Sequence, residues 1–284
     1  MSQSPSYLRV FLTFAQNSLV RDMTFRANFL IESVTSVVWT LMNLGFYLII
    51  FQYTDEIGRD TGWGKWEFFA FLATTMIVNS LVQAFFMENC EEVSELIRTG
   101  GLDFALLKPI DTQFMISLRR VDWSSLSNFA AGAILLAISL AQMTTRADDP
   151  LRLSAVNLFL YAFYVLCGVA ILYSLMISLA ATSIWLGQNR SLYDFWFYIT
   201  NFSRYPMEIY SGRYGTPLRL AFTYFLPVLV VVNVPARIIA LPLNSSTPGF
   251  RGLAIFTLFA TVGSLLASRW IFQGALRSYR SASS

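Results

Sequence analysis

No histidine occurs in the 284 residues, and cysteine occurs only at Cys90 and Cys167. The first absence removes the commonest general base and the commonest metal ligand at neutral pH. Two cysteines, one in a polar stretch and one deep in an apolar run, give neither a disulfide framework nor a metal-ligand spacing. No metal and no cofactor is therefore expected. Charge is scarce as well, at 13% of residues against roughly 25% in soluble domains. Twenty basic and 17 acidic side chains are too few to cover the core that a soluble chain of this length would build. The net charge of +3 is spread along the chain and makes no case for a nucleic-acid partner. A nucleotide-binding G-x-x-x-x-G-K-[ST] is missing too, since Gly64-Lys65 lacks both the upstream glycine and the following hydroxyl. The chain is not expected to be an enzyme. A secretory leader is not visible either. Residues 1–28 scatter Arg9, Arg21 and Arg26 among apolar residues, so the first span is expected to stay in the mature protein.

What is present is hydrophobic length. Apolar residues make up 55% of the chain, and residues 33–54, 68–87, 123–145 and 153–189 carry no charge. Each run reaches the roughly 20 residues that cross a bilayer as a helix, and 252–273 supplies a last one. The fold class that follows is an all-α polytopic membrane protein of about six transmembrane helices, one domain over 1–284. Basic residues set its orientation. The N-terminal segment and the 88–122 loop, with Arg98, Lys108, Arg119 and Arg120, outweigh the loops at 55–67 and 146–152. That places the N-terminus, the 88–122 loop and, for an even number of spans, the C-terminal tail in the cytoplasm of a bacterial inner membrane. Region 190–250 admits two readings. Hydropathy favours 220–241 as the fifth span. Alternatively 190–208 crosses, and 217–241, broken by Pro227 and Pro235 and holding Arg237, enters and leaves on one side as a re-entrant hairpin.

Three local patterns suggest roles. Tyr7, Phe11, Phe14 and Ser18 share one helical face of the N-terminal segment, which suggests an amphipathic helix lying at the membrane interface. In ENCEEVSELIRTGGLDFALLKPID, residues 88–111, Val93, Leu96 and Ile97 fall on one face and Glu91, Glu92 and Glu95 on the rest. Gly100 and Gly101 stop that helix, and Lys108-Pro109 imposes an extended turn. The segment is either a plain connector or a docking helix that offers an exposed apolar ridge with acidic flanks to a partner. Ala170, Ser174, Ser178 and Thr182 stand at four-residue spacing, where small side chains let another helix come close. Packing within the chain explains that row more readily than a dimer seam. Glu32, one turn into the first span, has an interfacial carboxylate's position, and most tryptophans fit a belt or a packed face.

The order of these features resembles the type-2 ATP-binding-cassette exporter permeases. The match is closest to the branch with a G-x-LD-x-x-L-x-KP element, here Gly100-Gly101-Leu102-Asp103-Phe104-Ala105-Leu106-Leu107-Lys108-Pro109. A second shared stretch is RYP-x-x-IY from Arg204, followed by the proline-split segment. The resemblance implies an interfacial helix over 1–28 and spans near 30–53, 67–87, 123–145, 153–187, 190–208 and 251–273. It further implies a cytoplasmic coupling loop over 88–122 and a re-entrant or outer hairpin over 209–250. The function it implies is the permease subunit of an ATP-driven exporter. Such a subunit pairs with a second permease copy or paralogue, sits in lipid, and takes its energy from separate ATP-binding-cassette ATPase subunits. Glu91, Glu92, Val93, Glu95, Leu96, Ile97, Arg98, Gly100, Gly101, Asp103, Lys108 and Pro109 are then the coupling residues. The alternative is a membrane scaffold or assembly factor with no translocation path.

Overall fold

The computed structural model describes residues 6–24, 26–58, 61–147, 150–186, 197–198, 201–241 and 249–279. Its helices, in order, are α1 (Tyr7–Thr24), α2 (Arg26–Ile50), α3 (Lys65–Val82), α4 (Glu88–Arg98), α5 (Gly101–Leu106) and α6 (Thr112–Ser117). They continue with α7 (Leu126–Thr144), α8 (Ala155–Leu186), α9 (Gly212–Leu220), α10 (Leu229–Ala240) and α11 (Phe250–Ser278). Five helical stretches are long and apolar enough to cross a membrane, and α9 with α10 makes a sixth candidate if that bent pair is counted as one span. An all-α polytopic membrane fold follows.

The long helices alternate between two ends of the bundle. At one end, Arg146 reaches Glu67 at 3.0 Å and joins the α7–α8 connection to the first turn of α3. Phe51, just past α2, packs on Phe69 there, and the buried Trp63 marks the level. At the other end, Ser94 of α4 donates to Ser183 of α8 at 2.9 Å, and Trp185 bonds Ser278 between the last turns of α8 and α11. These are the Trp63 end and the α4 end.

Leu186 stands at the α4 end, whereas Glu208 stands at the Trp63 end, where its carboxylate accepts from Trp63 Nε1 at 2.8 Å. The chain therefore changes ends between them. Of the expected span 190–208, residues 190–196 and 199–200 lie outside the described residues. In its last part Phe202–Arg204 and Met207–Ile209 are short 3₁₀ turns, so that end is not continuous α-helix.

Next come α9, a π-helical turn at Ala221–Phe225, and α10, with a bend of 91° between the two helices. Pro227 lies in that break. All twelve residues of α10 are buried, between α3 and α8. At 1.5 Å per residue α10 is about 18 Å long, roughly half of a hydrocarbon core. Its last turn returns to the Trp63 end, where Arg237 pairs with Glu208 and lies over the Trp63 ring. Asn233 accepts from the Met207 N–H at 2.8 Å and closes the same loop onto α10. The break itself is only partly covered: Val228 is buried, whereas Tyr224 and Phe225 before it are exposed.

Two expectations need correction. The span expected over 67–87 does not stop before a separate docking helix. One helix runs from Lys65 to Arg98, 34 residues, passing through a π-helical turn at Gln83–Met87. The amphipathic face of α1 is also not free for lipid. Tyr7 packs edge-on against Phe114 at 4.9 Å, and Ser18 accepts the Val121 N–H at 3.1 Å. The Ala15 carbonyl accepts from Trp123 Nε1 at 3.2 Å. Phe11, Phe14 and Ser18 dock on the bundle and Tyr7 is half exposed, while Leu8, Leu12, Val20 and Met23 are exposed.

Candidate functional site

The α4 end carries most of the residues that the sequence singles out. Its helix α4 is strongly amphipathic, but the apolar stripe points inward. Val93 is fully buried beside Cys90, and Leu96 and Ile97 pack against the core. The exposed ridge expected at Val93, Leu96 and Ile97 does not exist. A stripe of three apolar side chains on a short polar helix fits its own protein's core as well as a partner's groove, so periodicity alone does not choose.

The acidic flank is divided. Glu88 holds Arg21 at 3.3 Å and Arg120 at 3.0 Å. Glu92 holds Arg120 at 2.9 Å, so this carboxylate braces α4 against the 119–120 segment and is not offered outward. Glu91 is exposed, and Glu95 is exposed beside Arg98. The Arg98 hydrogen bond holds the Glu95 carboxyl below its usual pKa.

Gly100 ends α4 with a φ of +73°, and its N–H reaches the Ile97 carbonyl at 3.3 Å. A side chain is strained in that left-handed conformation. The reversal carries Gly101 against Leu96 and begins α5, with Leu102 and Ala105 buried. Asp103 comes up against the Tyr279 hydroxyl just past α11. The opposite side of α5 is apolar and open. Phe104 is 71% exposed and Leu107 80%, with Lys108 and Pro109 exposed after them. Beside this ridge is a cavity of about 240 Å³ lined by Phe104, Lys108, Phe14, Leu96, Met115 and Arg119, among others. The exposed apolar surface thus belongs to α5, and Phe104 and Leu107 were missed because no helical period connects them to α4.

After Pro109 the chain is tied down again. Asp111 caps α6 by accepting the Phe114 N–H at 2.9 Å, and it pairs with Arg269 of α11, whose Nη1 lies 3.0 Å from Oδ1. Burial works to raise the Asp111 pKa. The Arg269 hydrogen bond, the backbone N–H groups and the guanidinium charge outweigh it and leave the carboxyl below its usual range. Gln113 accepts from Arg269 at 3.1 Å and donates to the Tyr173 hydroxyl of α8 at 3.0 Å.

A larger cavity with mostly polar lining, about 790 Å³, lies between the end of α1 with the first turns of α2 on one side and the Gln83–Met87 turn, α4 and the start of α7 on the other. Glu32, Ser36, Gln83, Glu91, Asp122 and Asn128 contribute to its wall. Glu32 therefore faces a polar cavity. Of the small-residue row, Ser178 and Thr182 line a nearly apolar cavity of about 470 Å³ together with Trp270, Ile271 and Gly274 of α11. The hydroxyls of Ser174, Ser178 and Thr182 bond carbonyls of their own helix, and Ala170 accepts from Ser174. Among the described residues no cluster of three His, Cys, Asp or Glu side chains is placed to hold a metal ion.

Long apolar helices around a buried half-length helix, with a helical foot at one end, define a polytopic membrane domain. The sequence from 37 to 283 matches the family model described as ABC-2 family transporter protein. The chain belongs to that family and has the role of an ATP-binding-cassette transporter's membrane component. Searches of the curated proteins and of the solved structures find no match.

Proposed function

We propose that this chain is the permease subunit of an ATP-driven exporter, working as a dimer with separate ATPase subunits that dock on α5. The single observation behind the docking is the open ridge of Phe104 and Leu107 beside the 240 Å³ cavity. Apolar area left in water forgoes roughly 25 cal/mol per Å², and Phe104 and Leu107 are among the most exposed apolar side chains at the α4 end. Lys108 and Arg119 border the cavity, so the complementary groove on the ATPase carries acidic residues. In this reading the α4 end is cytoplasmic and the Trp63 end faces outward. The chain makes its fifth crossing between Leu186 and Glu208, and α9–α10 is the re-entrant hairpin. A second copy covers α2, whose apolar stretch Phe29–Ile50 is unburied in the single chain.

The test is copurification. Phe104→Asp with Leu107→Asp should leave the protein in the membrane, because the spans carry the insertion energy. The variant should lose the ATPase, since each anchor is worth about 1–3 kcal/mol. Leu96→Asp with Ile97→Asp, a less discriminating choice, should unfold the foot. A Phe104/Leu107 variant that retains its full complement of ATPase would remove α5 as the docking element. The scaffold alternative is favoured if no ATPase accompanies the unaltered chain.

A further inference from the structure

We propose that Asp111 and Arg269 form the joint through which movement of α5 and α6 reaches the last span, α11. This deepens the docking reading and rests on it. Residues α4 through α6 are continuous with α3, so any force on α5 already reaches that span through the backbone. No such path leads to α11, which begins more than 130 residues later in the chain. Besides Asp103 of α5 against Tyr279 just past α11, the contact that bridges the two, and the one made within α11 itself, is Arg269 with Asp111, paired through both guanidinium Nη atoms.

The geometry suits transmission better than mere packing. Asp111 caps α6 through Phe114, so a displacement of α6 carries the carboxylate with it. Arg269 lies in the last third of α11, and its planar guanidinium meets the carboxylate in a forked arrangement with directional as well as electrostatic content. Gln113 accepts from the same guanidinium and passes the contact on to Tyr173 of α8, and Ser117 bonds that hydroxyl at 2.8 Å. One α6 turn thus holds two spans by side chains. Room for α11 to shift lies at the same level. The 470 Å³ cavity between α8 and α11 is lined by Trp270 and Ile271, the two residues after Arg269, and by Gly274 one turn on. A seam without a filled interior there lets α11 tilt toward α8 without overpacking.

The experiment uses the whole permease–ATPase complex with a spin label on Leu266→Cys, an exposed position of α11 one turn before Arg269. Cys90 and Cys167 are buried and stay unlabelled in the folded protein. ATP should change the label's spectrum in the otherwise unaltered complex. Asp111→Asn and, independently, Arg269→Gln should each cut the responding fraction about fivefold, the upper range for a partly exposed pair. Both variants should keep bound ATPase and thermal stability close to the unaltered level. The exchanged pair, Asp111→Arg with Arg269→Asp, should recover at least half of the response. A full response in Asp111→Asn with ATPase bound overturns the joint while leaving α5 docking intact. Loss of stability or of ATPase in step with the response shows a merely structural contact and also overturns it. An unaltered chain that binds no ATPase defeats the docking reading itself, and the joint with it.

Discussion

Gly168 and Pro235 illustrate how single residues set helix separation in this protein. Proline has no N–H, so the Val231 carbonyl one turn earlier loses its ordinary helical donor. A Cβ on Gly168 would sit 2.7 Å from that oxygen and 3.0 Å from Val231 Cγ1. The bare glycine instead lets α8 lie directly against the exposed carbonyl, where a weak Cα–H contact is available. Gly168→Val is expected to push α10 from α8 and to cost about 2 kcal/mol or more, read as a lowered melting temperature of the purified protein in detergent. Titration offers a second residue-scale expectation. Because the Asp111 pKa is depressed in the folded protein, its stabilising contribution is complete above the ordinary aspartate value of about 3.9. It is lost as pH falls through the lower folded value, so the Asp111–Arg269 contact should persist in mildly acidic solution. Neither the Gly168 contact nor the Asp111 pair could be read from spacing. Both join residues more than 60 positions apart, and nothing in either local pattern names its partner.

Helix patterns were informative at the level of elements, but their direction was not. The sequence marks α7 and α8 within a few residues by their freedom from charge, and the middles of α2 and α11 by hydropathy, although Glu32 lies in the first and Arg269 in the second. It also shows α1 and α4 to be amphipathic. It does not say whether an apolar stripe faces lipid, a partner or the bundle, and for both helices the answer is the bundle. The stop at Gly100 was readable because a positive φ selects glycine. The continuous run from α3 into α4 was not, because Glu88, Glu91 and Glu92 interrupt hydropathy without interrupting the backbone. For α10 the decisive residues are Arg237 and Glu208, whose side chains are 9% and 20% exposed. Removing one partner from a buried pair leaves the other charge uncompensated, at about 3 kcal/mol or more. Glu208→Gln should therefore lower the melting temperature markedly, whereas Glu208→Leu with Arg237→Met should restore much of it. A double variant no better than the single one would mean that Trp63 and Asn233, not the ion pair, hold α10.

At the scale of the molecule, the orientation can be tested with three exposed positions. Tyr53→Cys and Tyr214→Cys, at 86% and 81% exposure, should react with an impermeant thiol reagent from outside intact cells. Leu107→Cys should react only after permeabilisation. Reaction of 53 and 214 from opposite sides would make α9–α10 a full span and return the fifth crossing to the hydropathy reading. The all-helical polytopic class was legible from composition alone, because scarce charge leaves lipid as the only solvent that can cover such a chain. The two ends and their contents were not legible, since they depend on which distant segments meet. The length of the Lys65–Arg98 helix has a mechanical consequence. Its 34 residues measure roughly 50 Å, so it overhangs the hydrocarbon by about 20 Å. A rod of that kind works as a lever with its fulcrum in the membrane. A sideways push on the overhang swings the far tip, where Glu67 grips Arg146, in the opposite direction. The π-helical turn at Gln83–Met87 is the one place along the rod where the regular ladder changes pitch. Bending there would absorb the stroke, and holding stiff there would pass it to the opposite face of the bilayer.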